Sequence, residues 1–184
     1  MVQTLSCYSA VKRTGVSNER PSCVAPFVSA VFVGDRSGSM ASMGSIPREG
    51  AKDFMVEYQN LHKKHPANNI LVTVWTFDDV AEQPYSGKGK NITTRDIRNV
   101  ADAMYPRNTT RLYDTAIDAI IAQQLEIDKI KSNIEKNRML KNLDPTIAVM
   151  FTLLTDGEDN ASFNRANDMR IMIQEHQEIY GAHC

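Results

Sequence analysis

Cysteine is scarce in this chain of 184 residues: there are three, Cys7, Cys23 and Cys184. An odd number so widely spaced excludes a disulfide framework and the paired spacing of a zinc cluster. The expectation is reduced thiols in a cytoplasmic protein. Charge of one sign is lacking as well. The 21 Lys and Arg residues meet 22 Asp and Glu, a formal net charge of −1. That balance argues against nucleic acid as a partner held by bulk electrostatics. No apolar run reaches the roughly 18 residues of a membrane span. The opening residues hold Lys12, Arg13 and Arg20 but no secretory-leader pattern. Internal repeats and low-complexity segments are missing too. What is present, 42% hydrophobic and 23% charged residues, suits one globular domain with a real core.

Apolar runs alternate with amphipathic stretches. Phe27 to Val33 is nearly unbroken and stops at Gly34-Asp35, as a strand buried on both faces would. Ser45 and Pro47 read as a helix start, and Ala51, Phe54, Met55, Tyr58 and Leu61 follow at helical spacing. Ile70 to Phe77 is a second buried strand. Asp78-Asp79 reads as a hairpin turn into an edge strand that tolerates Pro84. A short helix around Ile97 to Met104 precedes a long one from near Leu112. Ile147 to Leu154 is a further strand, and Ala166 to Ile179 a last helix, with Gly181 suited to its C′ position. This order predicts an α/β fold: a doubly wound, Rossmann-like, mostly parallel sheet with helices on both faces. Residues 1–26 read as an N-terminal extension and 27–184 as the domain.

Ligands of open parallel sheets bind at the carboxyl ends of the strands. Two strands here end in acids: Asp35-Arg36-Ser37-Gly38-Ser39, and Thr155-Asp156-Gly157. Between them, Asn108-Thr109-Thr110-Arg111-Leu112-Tyr113-Asp114 opens the long helix. If the first and last long strands are neighbours, all three loops meet at one edge. Asp35, Ser37, Ser39, Thr110 and Asp156 would then form an all-oxygen set. Such a set suits a hard cation, Mg²⁺ or Mn²⁺. Two carboxylates roughly neutralise the ion and leave room for an anionic ligand, such as a Glu or Asp carboxylate from a partner protein.

The three motifs, in this order and at these predicted strand ends, resemble the von Willebrand factor type A domain over roughly residues 27–184. The resemblance implies a metal-ion-dependent adhesion site. There Ser37, Ser39 and Thr110 would bind metal directly or through water, and Asp35 and Asp156 often through water. It implies a metal-dependent protein-binding module rather than an enzyme. Two departures stand out. Asn108-Thr109 replaces the glycines of many members, and residues 41–44 lack the acidic pair that serves a second cation, so one metal is expected. Family members also continue through at least one more strand and usually a helix, so the C-terminus reads as truncated. The alternative is a haloacid-dehalogenase-like Mg²⁺-dependent phosphatase with Asp35 as nucleophile. Such enzymes want an acid two residues on, where this chain has Ser37. Asp35 is expected at the surface, and Glu158 and Asp159 as solvated neighbours.

Overall fold

The computed structural model describes residues 5–6, 27–136, 147–157 and 159–180. The α/β expectation holds: helices cover both faces of a mostly parallel, doubly wound sheet. Its strands are β1 (Leu5–Ser6), β2 (Phe27–Asp35), β3 (Asn69–Phe77), β4 (Ala81–Lys88) and β5 (Ile147–Leu154), in the order β1-β5-β2-β3-β4. The helices are α1 (Ile46–Lys64), α2 (Thr94–Ala103), α3 (Leu112–Lys136) and α4 (Ala166–Tyr180).

The centre is β2. It pairs in parallel with β3 on one side and β5 on the other. Its residues sort by parity. Ala30 and Phe32 join the cluster under α1 and α2, with Phe54, Met55, Tyr58, Val72, Val74 and Val100. Val31 and Val33 join Leu112, Ala119 and Leu153 under α3. A strand with a hydrophobic layer on both faces cannot alternate apolar and polar residues, hence its apolar run, broken only at Ser29. Phe54 packs its ring 5.2 Å from that of Phe32 and 4.8 Å from that of Tyr58.

Local signals account for the element ends. Pro47 lies in the first turn of α1, where its missing N–H costs nothing. Thr93 and Asp96 form a reciprocal capping box at α2, so that helix starts earlier than its apolar residues suggest. Edge strand β4 is antiparallel to β3 and holds Pro84. Strand β4 ends at Lys88, and a single 3₁₀ turn over Gly89–Asn91 follows it.

Beside β5 lies β1, which is antiparallel and pairs only Leu5 with Leu153 and Ser6 with Thr152. It is the one element described from residues 1–26. Among the described residues no strand follows α4. The three cysteines and the C′ position expected at Gly181 lie outside the described residues.

Helix α4 packs on α3 rather than on the sheet centre, and its buried residues are His176 and Tyr180. Gln123 of α3 ties this layer together. Its Nε2 donates to the carbonyls of Ser29 and Met150, each at 3.1 Å, and its Oε1 lies 3.1 Å from His176 Nε2. An amide oxygen only accepts, so His176 carries its proton on Nε2. Burial lowers the imidazole pKa to about 4. Unfolding returns it to its ordinary value near 6.5, so the unfolded chain takes up the proton first as pH falls. Stability is therefore complete above pH 6.5 and declines toward pH 4. Urea unfolding should show a loss of about 2 kcal/mol between pH 7.5 and pH 5 from this group, and His176→Gln should remove that part of the dependence. An identical pH profile for the two proteins would show that His176 is not the group responsible.

Candidate metal centre

The chain moves from β2 to β3 on one side and later returns to place β5 on the other. The strand order thus reverses at β2, and loops leaving β2 and β5 diverge to opposite faces. That is the crevice where open α/β sheets hold ligands. Asp35 is the last residue of β2, and Thr155-Asp156 follows the last residue of β5. Gly34, one step before Asp35, pairs with Leu154. The expected neighbourhood of the first and last long strands is therefore real.

Asp35 is not at the surface as expected; it is fully buried. Its Oδ1 accepts from the Ser37 backbone N–H at 2.8 Å and its Oδ2 from the Thr155 hydroxyl at 2.8 Å. Burial raises its pKa above the ordinary carboxylate range. The bonds from Ser37 and Thr155 oppose that rise, and the charge of Asp156 adds to it. The carboxylate is thus short of compensating positive charge.

Ser37 occupies the N-cap position of a 3₁₀ turn over Gly38–Met43, yet its side chain makes no capping bond. Its hydroxyl lies 3.0 Å from that of Ser39 instead. Ser37 is buried and Ser39 exposed, so the pair runs from the protein interior toward solvent.

Backbone bonds bring the loop of Thr110 to both others. The Gly38 N–H donates to Asn108 O at 3.0 Å, and the Arg107 N–H to Arg36 O at 2.7 Å. On the other side, Asn160 Oδ1 accepts from the Thr110 N–H at 2.9 Å. Thr110 O in turn accepts from the N–H groups of Asn160 and Ala161. The structure thus gathers the loops carrying Asp35, Ser37, Ser39, Thr110 and Asp156 at one end of the sheet. The departure at Asn108 has a simple resolution. Asn108 takes a φ of 55°, a left-handed conformation that asparagine tolerates better than most residues. Gly157, at φ 90°, gives the turn after Asp156 the freedom it needs, and its N–H donates to the Thr155 hydroxyl.

Several supporting residues were not foreseen. Asp159, expected to be solvated, accepts from the Leu112 N–H at 2.8 Å and the Ser162 hydroxyl at 2.7 Å, and so caps α3. Asp78, expected to be an ordinary turn residue, is fully buried and ion-paired with Arg36 and Arg107. Asp114 latches the loop after β5. Its carboxylate accepts from the N–H groups of Phe163 and Asn164, from Asn164 Nδ2, and from Arg111 Nε at 2.9 Å. As the one acid in the first turn of α3 it looks like an ordinary helix-start residue; the signal is tertiary.

The donor set fits a hard cation. Two carboxylates lie close enough to repel, one of them buried, and hydroxyls stand beside them. Among the described residues no three His, Cys, Asp or Glu side chains gather as a metal cluster. Any cation here would therefore depend on serine and threonine oxygens. The same geometry disfavours a phosphatase, since a nucleophilic Asp35 would have to be accessible and both of its oxygens are engaged.

No family model matches the chain, and no curated protein does. Among solved structures it is similar to the PilB minor pilin from Streptococcus sanguinis, at 20% identity and a TM-score of 0.44, over 57% of this chain and 28% of that one. It is similar to proximal thread matrix protein 1 from the mussel byssus, at 21% identity and a TM-score of 0.44, over 83% of this chain and 34% of that one. The von Willebrand domain of the type V pilus tip protein Mfa5 from Porphyromonas gingivalis shares 15% identity, with a TM-score of 0.34, over 68% of this chain and 37% of that one. In each case the match spans well under half of the other protein. At such scores the likeness decides nothing about function, and the reading of the site rests on its own side chains.

The Asp114 latch has a measurable sign. Burial by itself would raise its pKa, but the N–H groups of Phe163 and Asn164, with Arg111, bring it down to about 2. Its stabilisation is present above pH 3.8 and is lost as pH falls toward 2. Asp114→Ala should cost about 2–3 kcal/mol at pH 7, with less difference from the parent protein near pH 2, read by thermal unfolding. Equal stability of the two proteins at pH 7 would show that the latch is idle.

Proposed function

We propose that this chain is a protein-interaction module that holds one Mg²⁺ or Mn²⁺ at the end of its sheet and uses it to capture a Glu or Asp carboxylate of a partner protein. The observation that carries this reading is the convergence of Asp35, Asp156 and the facing Ser37 and Ser39 hydroxyls at the point where the strand order reverses. Ser37, Ser39 and Thr110 would offer neutral oxygens. Asp35, fastened by Ser37 and Thr155, would supply charge from behind them, and Asp156 a second charge from the adjacent strand end. A bound divalent cation supplies a positive centre that attracts a hard anionic oxygen.

A protein partner is favoured over a small anion by what surrounds the site. Ile46, Val80, Tyr105 and Phe163 are each more than half exposed, Phe163 at 90%. Ile46 opens α1 and the other three lie on connections, all at the carboxyl end of the sheet. Large apolar side chains around a polar centre are the composition of a protein interface. Arg111 stands 5.9 Å from the Phe163 ring centroid, which holds that ring near the site. No helix among the described residues is long and apolar enough to cross a membrane. A cytoplasmic setting rests on the cysteine content alone.

Two measurements test the reading. Calorimetric titration with Mn²⁺ and Mg²⁺ should show one site per chain, and Asp35→Asn should weaken it ~10-fold or more. In chelator the same Asp35→Asn protein should be more stable than the parent, because it relieves a buried carboxylate facing Asp156. The Asn amide preserves the acceptor for Ser37 N–H and can donate to the Thr155 hydroxyl. Absence of divalent-cation binding by the parent protein would sink the metal reading. Partner capture that survives excess chelator would sink its role in recognition.

A further inference from the structure

Behind the hydroxyl pair lies a closed ionic ring that the metal reading does not use. Arg36 sits between Asp35 and Ser37 in sequence but turns away from them. Its side chain is 2% exposed and reaches Glu82 Oε2 at 2.8 Å and Asp78 Oδ1 at 3.3 Å. Its Nε lies 3.3 Å from Asp78 Oδ2 without the alignment of a hydrogen bond. Arg107 meets the same two acids, Asp78 Oδ2 at 2.5 Å and Glu82 Oε1 at 2.6 Å. Two guanidinium groups and two carboxylates thus bridge each other in both directions.

The ring joins four separate pieces of chain: the loop after β2, the β3–β4 turn, edge strand β4, and the loop before α3. Backbone bonds run alongside it. Arg36 N–H donates to Phe77 O at 2.8 Å, Arg107 N–H to Arg36 O at 2.7 Å, and Arg111 N–H to Asp78 O at 2.7 Å. Asn108 Nδ2 adds a bond to Asp79 Oδ1 at 3.0 Å. Every residue on the loop from Arg107 to Arg111 that reaches the β3–β4 turn therefore brackets Thr110. The loop after β2 is held through Arg36, the residue immediately before Ser37.

We propose that the Arg36–Asp78–Glu82–Arg107 ring is a positioning clamp: it holds the Ser37–Ser39 and Thr110 loops at their mutual spacing before any cation arrives, and links that spacing to edge strand β4. Its effect on metal binding rests on the reading above; its effect on the loops does not. A ring that is electrically balanced also keeps two arginine charges from opposing a cation nearby. Loss of one acid leaves an arginine excess beside the site and frees the loop that arginine anchors.

Glu82 and Arg107 are the members to alter. Both are half-exposed, at 48%, and neither is a candidate ligand, so the fold should tolerate their loss. The test is a cycle of Glu82→Ala, Arg107→Ala and the double variant, with two readouts. The first is amide hydrogen exchange in metal-free protein. Gly38 and Arg107, whose N–H groups bridge the two loops, should exchange about tenfold faster in each single variant, while Phe32 and Val74 in the core stay as protected as in the parent. The second is Mn²⁺ affinity, which should fall about three- to tenfold in Glu82→Ala, where the loosened loop and the arginine excess act together, and less in Arg107→Ala, where the lost positive charge partly offsets the loosened loop, with the double variant no worse than Glu82→Ala. Unchanged exchange at Gly38 and Arg107 would overturn the clamp whatever the metal does. So would single effects on affinity that simply multiply. Faster loop exchange in variants of a parent protein that binds no Mn²⁺ would support the clamp and refute the metal reading separately.

Discussion

A strand with parallel neighbours on both sides and helices on both faces has nowhere to expose a polar side chain except at its end. That constraint on β2 organises the molecule. It makes residues 27–33 apolar apart from Ser29, with Val28, Ala30 and Phe32 meeting the α1 layer and Val31 and Val33 the α3 layer. It also delivers the first acid of the chain's centre, Asp35, to the floor of a crevice rather than to an open surface. Everything polar at that end of the sheet has to be arranged around a carboxylate that water does not reach.

The arrangement works by lacing. No single loop could hold the hydroxyls, because each loop is short and irregular and its backbone groups need partners. The three loops therefore supply partners to one another: Gly38 to Asn108, Arg107 to Arg36, Thr110 to Asn160. Side chains finish the work at the margins, with Asp159 capping α3, Asp114 receiving the turn at Phe163 and Asn164, and Asp78 receiving two arginines. The result is a shell of buried polar groups whose members are satisfied mostly from other loops.

This division explains what could be read in advance. The sheet and its helices were legible because their causes are local or periodic: apolar runs, helical spacing, Pro47 at a helix start, Pro84 on an edge. The candidate ligands were legible because Asp35-Arg36-Ser37-Gly38-Ser39 and Thr155-Asp156-Gly157 end strands, and Thr110 precedes a helix. Asp78, Asp114, Asp159 and Asn160 were not. Their roles depend on contacts with partners dozens of residues away, and an acid in a turn looks the same whether it faces water or a buried arginine. The burial of Asp35 was missed for the same reason. A strand-end acid is ordinarily solvated, and only the loops folding over it from Thr155 and Ser37 close it off.

Helix α3 adds an electrostatic problem at the same place. It begins at Leu112, two residues past Thr110, so the positive end of its peptide dipoles points toward the loops at the carboxyl end of the sheet. An uncapped helix start of this kind favours anions, roughly as half a positive charge would. Asp159 answers it by taking the Leu112 N–H. The segment after β5 carries three acids, Asp156, Glu158 and Asp159, and Asp159 is the one that meets the helix start. A helix that begins beside a buried carboxylate thus has its positive end met by an acid from a different loop, 47 residues further along the chain.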